Sequence, residues 1–145
     1  MMEGLATLVR AGVPFVWFGM VLALSFLEAP LKFCAPGMTR QLALGLGRLV
    51  FCALASCEIV LFGLLSLCFD VVNPHVFQVA LLMTLFLILV AQNIFLRPAL
   101  DERAVTIIAG QSVEASNEHL YYVALECFKL GLLLVLGVEG IVGGG

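Results

Sequence analysis

The chain has 145 residues, 63% hydrophobic and 12% charged, with a formal net charge of −3. Its mean hydropathy of +1.16 excludes a soluble domain of this length. No basic stretch interleaved with aromatics is present, so nucleic acid is not an expected partner.

A bilayer span needs about 20 predominantly apolar residues. Residues 12–33, 49–69, 76–96 and 120–137 meet that requirement, with only short connections between them. The expected fold is an all-α integral membrane protein, a single domain over residues 1–145. Its architecture is an antiparallel up-down-up-down four-helix bundle.

The first span carries Pro14 near its start and Pro30 near its end, where a bend or stop is expected. Its apolar run exceeds a signal-peptide core and no small-residue cleavage pattern follows, so it is expected to be retained. It closes on Glu28-Ala29-Pro30-Leu31-Lys32. Residues 34–41, with Pro36-Gly37, read as a short loop. The second span has Glu58 near its middle, and residues 70–75, with Asn73-Pro74, read as a tight turn. Spans two and three are therefore expected to be antiparallel neighbours. The third span ends with Gln92, Asn93 and Arg97. Beyond it, residues 100–114 mix Leu100, Val105, Ile107, Ile108 and Val113 with charges, which fits either a short interfacial helix or an ordinary loop. Ser116 and Asn117 are candidate caps for the fourth helix.

Lys and Arg set the orientation. Lys32, Arg40, Arg48, Arg97 and Arg103 flank or fill the first and third connections, whereas Arg10 alone lies on the other side. Segments 34–48 and 97–117 are thus expected in the cytoplasm and both termini outside, in a membrane such as the bacterial inner membrane.

Ionisable residues inside spans are functional candidates, because charge at that depth is costly unless it faces protein or water. Glu28, Glu58, Glu126 and Lys129 form the relay candidates, with Lys32, Gln92, Asn93, His119 and Tyr122 in support. His119, Tyr122, Glu126, Lys129 and Leu133 recur at spacings of three and four, so one face of the fourth helix carries a charged stripe. Glu126 and Lys129 can pair within that helix or with Glu58 or Glu28. A structural alternative is a stripe that only holds helices together. Lys32, Arg48 and Arg97 are expected to reach out to headgroups. Polar residues concentrate toward the cytoplasmic side, which points to a pocket open there, while the outer half has mainly Ser66, Gln78 and Thr84.

A weak internal repeat is visible. Glu28 precedes Lys32 by four residues, as Asn93 precedes Arg97, and each following span carries a carboxylate. Duplication of a two-helix unit explains this, as does coincidence at two helix ends. His75 and His119 are expected on opposite faces, which disfavours a bis-histidine haem. No Glu-x-x-His supports a di-iron centre. Cys34, Cys52, Cys57, Cys68 and Cys127 contain no Cys-x-x-Cys and read as packing residues. No cofactor is named by any motif.

Asn93, Arg97-Pro98 and His119-Leu120-Tyr121-Tyr122 give a resemblance to small bacterial four-helix membrane proteins. More distantly, the chain resembles the eukaryotic transmembrane protein 205 family. That family is linked to export of metal-containing drugs and to membrane trafficking, so the resemblance implies transport.

Three function classes follow. One is a small transporter or permeation unit for a small solute, for which proton coupling by the buried carboxylates is natural. The second is an accessory subunit of a larger membrane complex. The third is a membrane-embedded enzyme or quinone-binding protein using His119, Tyr122 and Glu126. The expected partners are membrane lipid and further protein chains, as a homo-oligomer or a larger assembly, because a bundle this small needs help to enclose a wide path.

Overall fold

The computed structural model describes residues 2–68 and 75–142, and these are helical apart from short connections, with no strand among them. Four continuous helices result. Helix α1 comprises Met2–Val21, a π-helical segment Leu22–Glu28 and a final stretch Ala29–Cys34. Helix α2 is Arg40–Leu67. Helix α3 comprises Val76–Val90, a second π-helical segment Ala91–Leu96, and Arg97–Ile108. Helix α4 is Glu118–Val142. Three of them, over Gly4–Cys34, Arg40–Leu67 and Val76–Ile108, are long and apolar enough to cross a membrane. The fourth is 25 residues long and carries Glu126 and Lys129 in its middle.

Two expectations about helix ends change. Pro30 neither stops α1 nor stands in an ordinary turn, and the helix continues through it to Cys34. A proline has no N–H and its ring collides with the carbonyl four residues earlier. For Pro30 that carbonyl belongs to Phe26 and for Pro98 to Ile94, and both lie inside the π-helical segments. Each segment ends two residues before its proline. The widened turn absorbs the collision and the missing donor, so the helix goes on. The second change concerns residues 100–114. Through Ile108 they continue α3 rather than forming a separate surface helix, and they leave the helix at Gly110, whose φ of 81° suits only glycine well. Gly37, at φ 78°, plays the same part between α1 and α2, and the Thr39 hydroxyl then caps α2 by accepting from the Leu42 N–H at 3.3 Å. The expected tight turn at 70–75 falls almost wholly outside the described residues.

Each helix packs on two others: α1 and α3 both lie against α2 and α4. The α1–α4 contact is the most extensive, and two glycines allow it. A β-carbon on Gly140 would lie 2.5 Å from the Arg10 carbonyl oxygen, and one on Gly137 would lie 2.7 Å from the Phe15 ring. Such close approach is the usual role of small residues between apolar helices. Farther along the same pair, Ser25 meets Glu126, so residue numbers fall along α4 as they rise along α1. The buried apolar core is built from Trp17, Val21, Leu54, Leu85, Leu89 and Leu133 with neighbours around them. Large apolar side chains such as Leu49, Ile59, Leu67, Phe95 and Phe128 face outward. That distribution, polar inside and apolar outside, is what lipid as a solvent selects.

Candidate functional site

At the centre of the core, three ionisable side chains meet. Lys129 Nζ donates to Glu58 Oε1 at 2.6 Å and to Glu126 Oε1 at 2.9 Å. Glu58, Glu126 and Lys129 are 2%, 1% and 0% exposed, so the cluster is enclosed rather than lining an open vestibule as expected. The lysine pairs both within its own helix and across to α2, and the expected link from Glu126 or Lys129 to Glu28 is not made.

Neutral donors complete the network. Trp17 Nε1 donates to Glu58 Oε1 at 2.9 Å. Gln92 Nε2 donates to Glu126 Oε1 at 2.7 Å, and Ser25 Oγ donates to Glu126 Oε2 at 3.2 Å. All four helices therefore contribute: α1 through Trp17 and Ser25, α2 through Glu58, α3 through Gln92, and α4 through Glu126 and Lys129. Ser25 and Gln92 both come from π-helical segments. Those segments shift the register of α1 and α3, and each presents a donor to the same carboxylate.

Charge counting gives the network its chemistry. Two carboxylates face one ammonium, so with all three ionised the core is one positive charge short. In a medium that cannot solvate ions, such an excess is costly. Uptake of one proton or one small cation removes it.

The α4 stripe extends as predicted through Tyr122, Glu126, Lys129 and Leu133, all buried, and on to Leu136 and Gly137. Tyr122 packs edge-on against Phe51 of α2, with ring centroids 5.8 Å apart, one turn from Glu126. His119 does not join, because it is exposed in the first turn of α4. Among the described residues no group of three His, Cys, Asp or Glu side chains is arranged to hold a metal ion.

A second polar layer lies toward the 34–48 and 97–117 connections. Lys32 turns inward instead of reaching for headgroups: it is 9% exposed, donates to Glu28 Oε2 at 3.2 Å, and sits 5.3 Å from the centre of the Phe51 ring. Gly47 makes room for it, since a β-carbon there would lie 2.7 Å from Lys32 Nζ. Arg97 donates to Asn93 Oδ1 at 2.8 Å, and Asn93 Nδ2 donates back to the Leu89 carbonyl. The two halves of the suspected repeat thus carry the same i, i+4 bond, each beside a π-helical segment. Arg48 also departs from expectation. It forms a two-pronged ion pair with Asp101, one prong of which, Arg48 Nη2 to Asp101 Oδ2, is 2.9 Å. That hydrogen bond holds the Asp101 carboxyl below its ordinary range, and the charge of Arg48 acts in the same direction.

At the opposite end of the helices, a small cavity of about 40 Å³ is lined by Arg10, Gln78 and Glu139 together with Pro14, Leu65 and Leu136. The Val21, Leu85 and Leu133 side chains of the apolar core are fully buried. A shallow apolar groove of about 340 Å³ opens outward between α2 and α3, lined by Phe62, Ser66, Val79, Leu82, Met83 and Phe86.

Sequence reasoning overlooked Trp17 and Ser25. The signal for Trp17 was available, since it is the only tryptophan, and an indole N–H within an apolar run needs an acceptor. Ser25 carried none, because its role depends on the π-helical register. Comparison of the chain with family models, with curated proteins and with solved structures found no match.

Proposed function

We propose that this chain is a small integral membrane protein, folded as an up-down-up-down four-helix bundle, that moves a small solute across the membrane in a proton-coupled cycle. The Glu58–Lys129–Glu126 network is its coupling element. The observation that carries this reading is that side chains from all four helices converge on one enclosed network with an odd charge. A change of one proton there alters hydrogen bonds held by every helix at once. Such a network is suited to shifting the packing between two arrangements, because packed cores are bistable rather than continuously deformable. Helix α4 spans the membrane in this reading, because it packs against α1 and α3 and supplies two of the three charges. The resemblance to the transmembrane protein 205 family points in the same direction.

Each element of the proposed cycle rests on a named group. Glu58 and Glu126 are the proton acceptors, and Lys129 holds them together in the ionised state. Tyr122 stands between Glu126 and the polar layer on the side of the 34–48 and 97–117 connections, since it packs on the Phe51 ring over which Lys32 sits, while Ser25 and Gln92 hold Glu126 itself. The apolar core around Leu85 and Leu133 separates the network from the Arg10–Gln78–Glu139 cavity.

The test is proton flux into liposomes containing the purified protein, read by an enclosed pH-sensitive dye under an imposed potential. Wild type is expected to carry flux above empty liposomes, and Glu58→Gln is expected to reduce it by about tenfold or more. That variant leaves one carboxylate and one ammonium in the core, so it is expected to fold and insert at least as well as wild type. A second reading is favoured by the outward-facing apolar groove between α2 and α3, which offers a seat for a helix of a larger membrane complex. Wild type that carries no flux but is isolated with a stoichiometric second chain supports this alternative.

A further inference from the structure

The end of the bundle around Arg10 holds two opposite charges that do not close on each other. Arg10, Gln78 and Glu139 line one cavity of about 40 Å³, and all three are half-buried. No ion pair among the described residues includes Arg10 or Glu139. Arg10 is held instead through Nε, which donates to the Cys68 carbonyl at 2.5 Å. That bond fixes the guanidinium at the end of α2. It does not use the two terminal amino groups, which suit the oxygens of a phosphate. The cavity admits one group about the size of a water molecule. Glu139 and Gln78 offer it oxygen acceptors, so a primary ammonium, small and purely a donor, fits there. A trimethylammonium is too large.

The apolar groove between α2 and α3 adjoins this cavity. Leu82 lines both, and of the neighbouring pairs Leu65–Ser66 and Gln78–Val79 one member lines each. The Phe62 and Phe86 rings, with centroids 5.8 Å apart, join the two helices at the end of the groove away from Arg10. From Val79 to Phe86 the groove runs about 10 Å. Its one hydroxyl, that of Ser66, donates to the Phe62 carbonyl at 2.8 Å, and the rest of its lining is apolar. With a volume of about 340 Å³, the groove averages roughly 30 Å² in section over that length. A helix 10 Å across has a section of about 80 Å² and covers such a slot without filling it. A single hydrocarbon chain fits inside.

We propose that the groove and the cavity together form a binding site for one phospholipid whose headgroup carries both a phosphate and a primary ammonium. One acyl chain lies in the groove between α2 and α3. The phosphate meets Arg10, and the ammonium enters the cavity beside Glu139 and Gln78. Charge complementarity sets the choice of lipid: an anionic headgroup leaves Glu139 uncompensated, and a choline headgroup does not fit the cavity. The site is separate from the Glu58–Lys129–Glu126 network and does not depend on what that network transports.

The test uses the full chain, purified and delipidated in detergent. Phosphatidylethanolamine, phosphatidylcholine and phosphatidylglycerol with identical chains are added in turn. Native mass spectrometry reads the lipids retained, and the thermal midpoint is followed in parallel. One retained phosphatidylethanolamine per chain is expected, with a rise in midpoint of about 5 °C at saturation. Phosphatidylcholine is expected to bind at least about tenfold more weakly. Val79→Trp, which fills the groove, is expected to abolish retention, and Arg10→Gln to weaken it about tenfold. Glu139→Gln leaves the Arg10–Cys68 bond intact and is expected to remove the preference for phosphatidylethanolamine over phosphatidylglycerol. Equal responses to the three lipids overturn the site, as does a preference that Glu139→Gln leaves unchanged. A preference for phosphatidylglycerol in the wild type overturns the two-charge headgroup. A second protein chain retained in place of lipid assigns the groove to a helix and also overturns the proposal.

Discussion

Lys129 is the residue on which the core depends most. It is the only cation in contact with Glu58 and Glu126 among the described residues, and it is wholly buried. Replacing one partner of a buried ion pair strands the other, at about 3–5 kcal/mol. Lys129→Met strands two carboxylates together, and is expected to destabilise by at least that amount in a detergent unfolding titration. The effect is charge-specific. Adding Glu58→Gln and Glu126→Gln to Lys129→Met leaves no charge to strand, and is expected to recover most of the lost stability. If the triple variant is as unstable as the single one, Lys129 acts through packing and not through charge. The network's membership was legible in unequal parts. Glu126, Lys129 and Tyr122 announced themselves by helical spacing, and Glu58 by its depth within an apolar run. That Glu28 pairs with Lys32 rather than with Lys129 depends on which helix turns lie at the same level, and a single sequence does not state that.

At the scale of helices, the apolar runs anticipated where the four elements lie, but not how α1 and α3 are wound. Pro30 and Pro98 marked the places without naming the remedy, because a proline in an apolar run fits a stop, a kink or a π-helical turn equally well. Similarly, residues 100–108 have the composition of a surface segment, yet the backbone of α3 continues through them. The α1–α4 seam gives a direct test of close packing. Gly140→Ala puts a methyl group against the Arg10 backbone, which cannot move aside as a side chain would. A loss of about 1–3 kcal/mol is expected. Gly131→Ala in the same helix meets nothing within 4 Å and is expected to stay within about 0.5 kcal/mol of wild type. Equal effects of the two would mean that the seam is not where α1 and α4 touch. The Arg48–Asp101 pair joins α2 to the extension of α3 at its exposed end. Because the folded state depresses the Asp101 pKa, its contribution is present above the ordinary aspartate value and is lost as pH falls through the depressed one. The thermal midpoints of wild type and Asp101→Asn are therefore expected to differ at pH 6 and to converge below about pH 4. Added salt is expected to reduce the difference, since both partners are half-exposed.

For the whole molecule, the arrangement of charge along the helices predicts an orientation. Lys32, Arg40, Arg48, Arg97 and Arg103 gather at one end, with the Arg48–Asp101 and Arg103–Glu118 pairs among them. Arg10 stands at the other end and donates to the Cys68 carbonyl. Basic residues in short loops are retained on the cytoplasmic side during insertion. In that expected orientation the Lys32–Glu28 and Arg97–Asn93 pairs lie on the cytoplasmic side of the enclosed network, and the small Arg10–Gln78–Glu139 cavity lies on the other. Replacing the five cysteines and adding one back at a time tests this. His75→Cys and Gln111→Cys are the positions of choice, because both residues are exposed and lie at opposite ends of α3 and its following loop. A membrane-impermeant maleimide is expected to label His75→Cys in intact cells and Gln111→Cys only in inverted vesicles. Labelling of both from one side would mean that α3 does not cross the membrane. The reversed pattern would keep the spanning fold but turn the molecule over. The network's polar approach would then face outward, so the direction in which a proton gradient drives the proposed cycle would reverse with it.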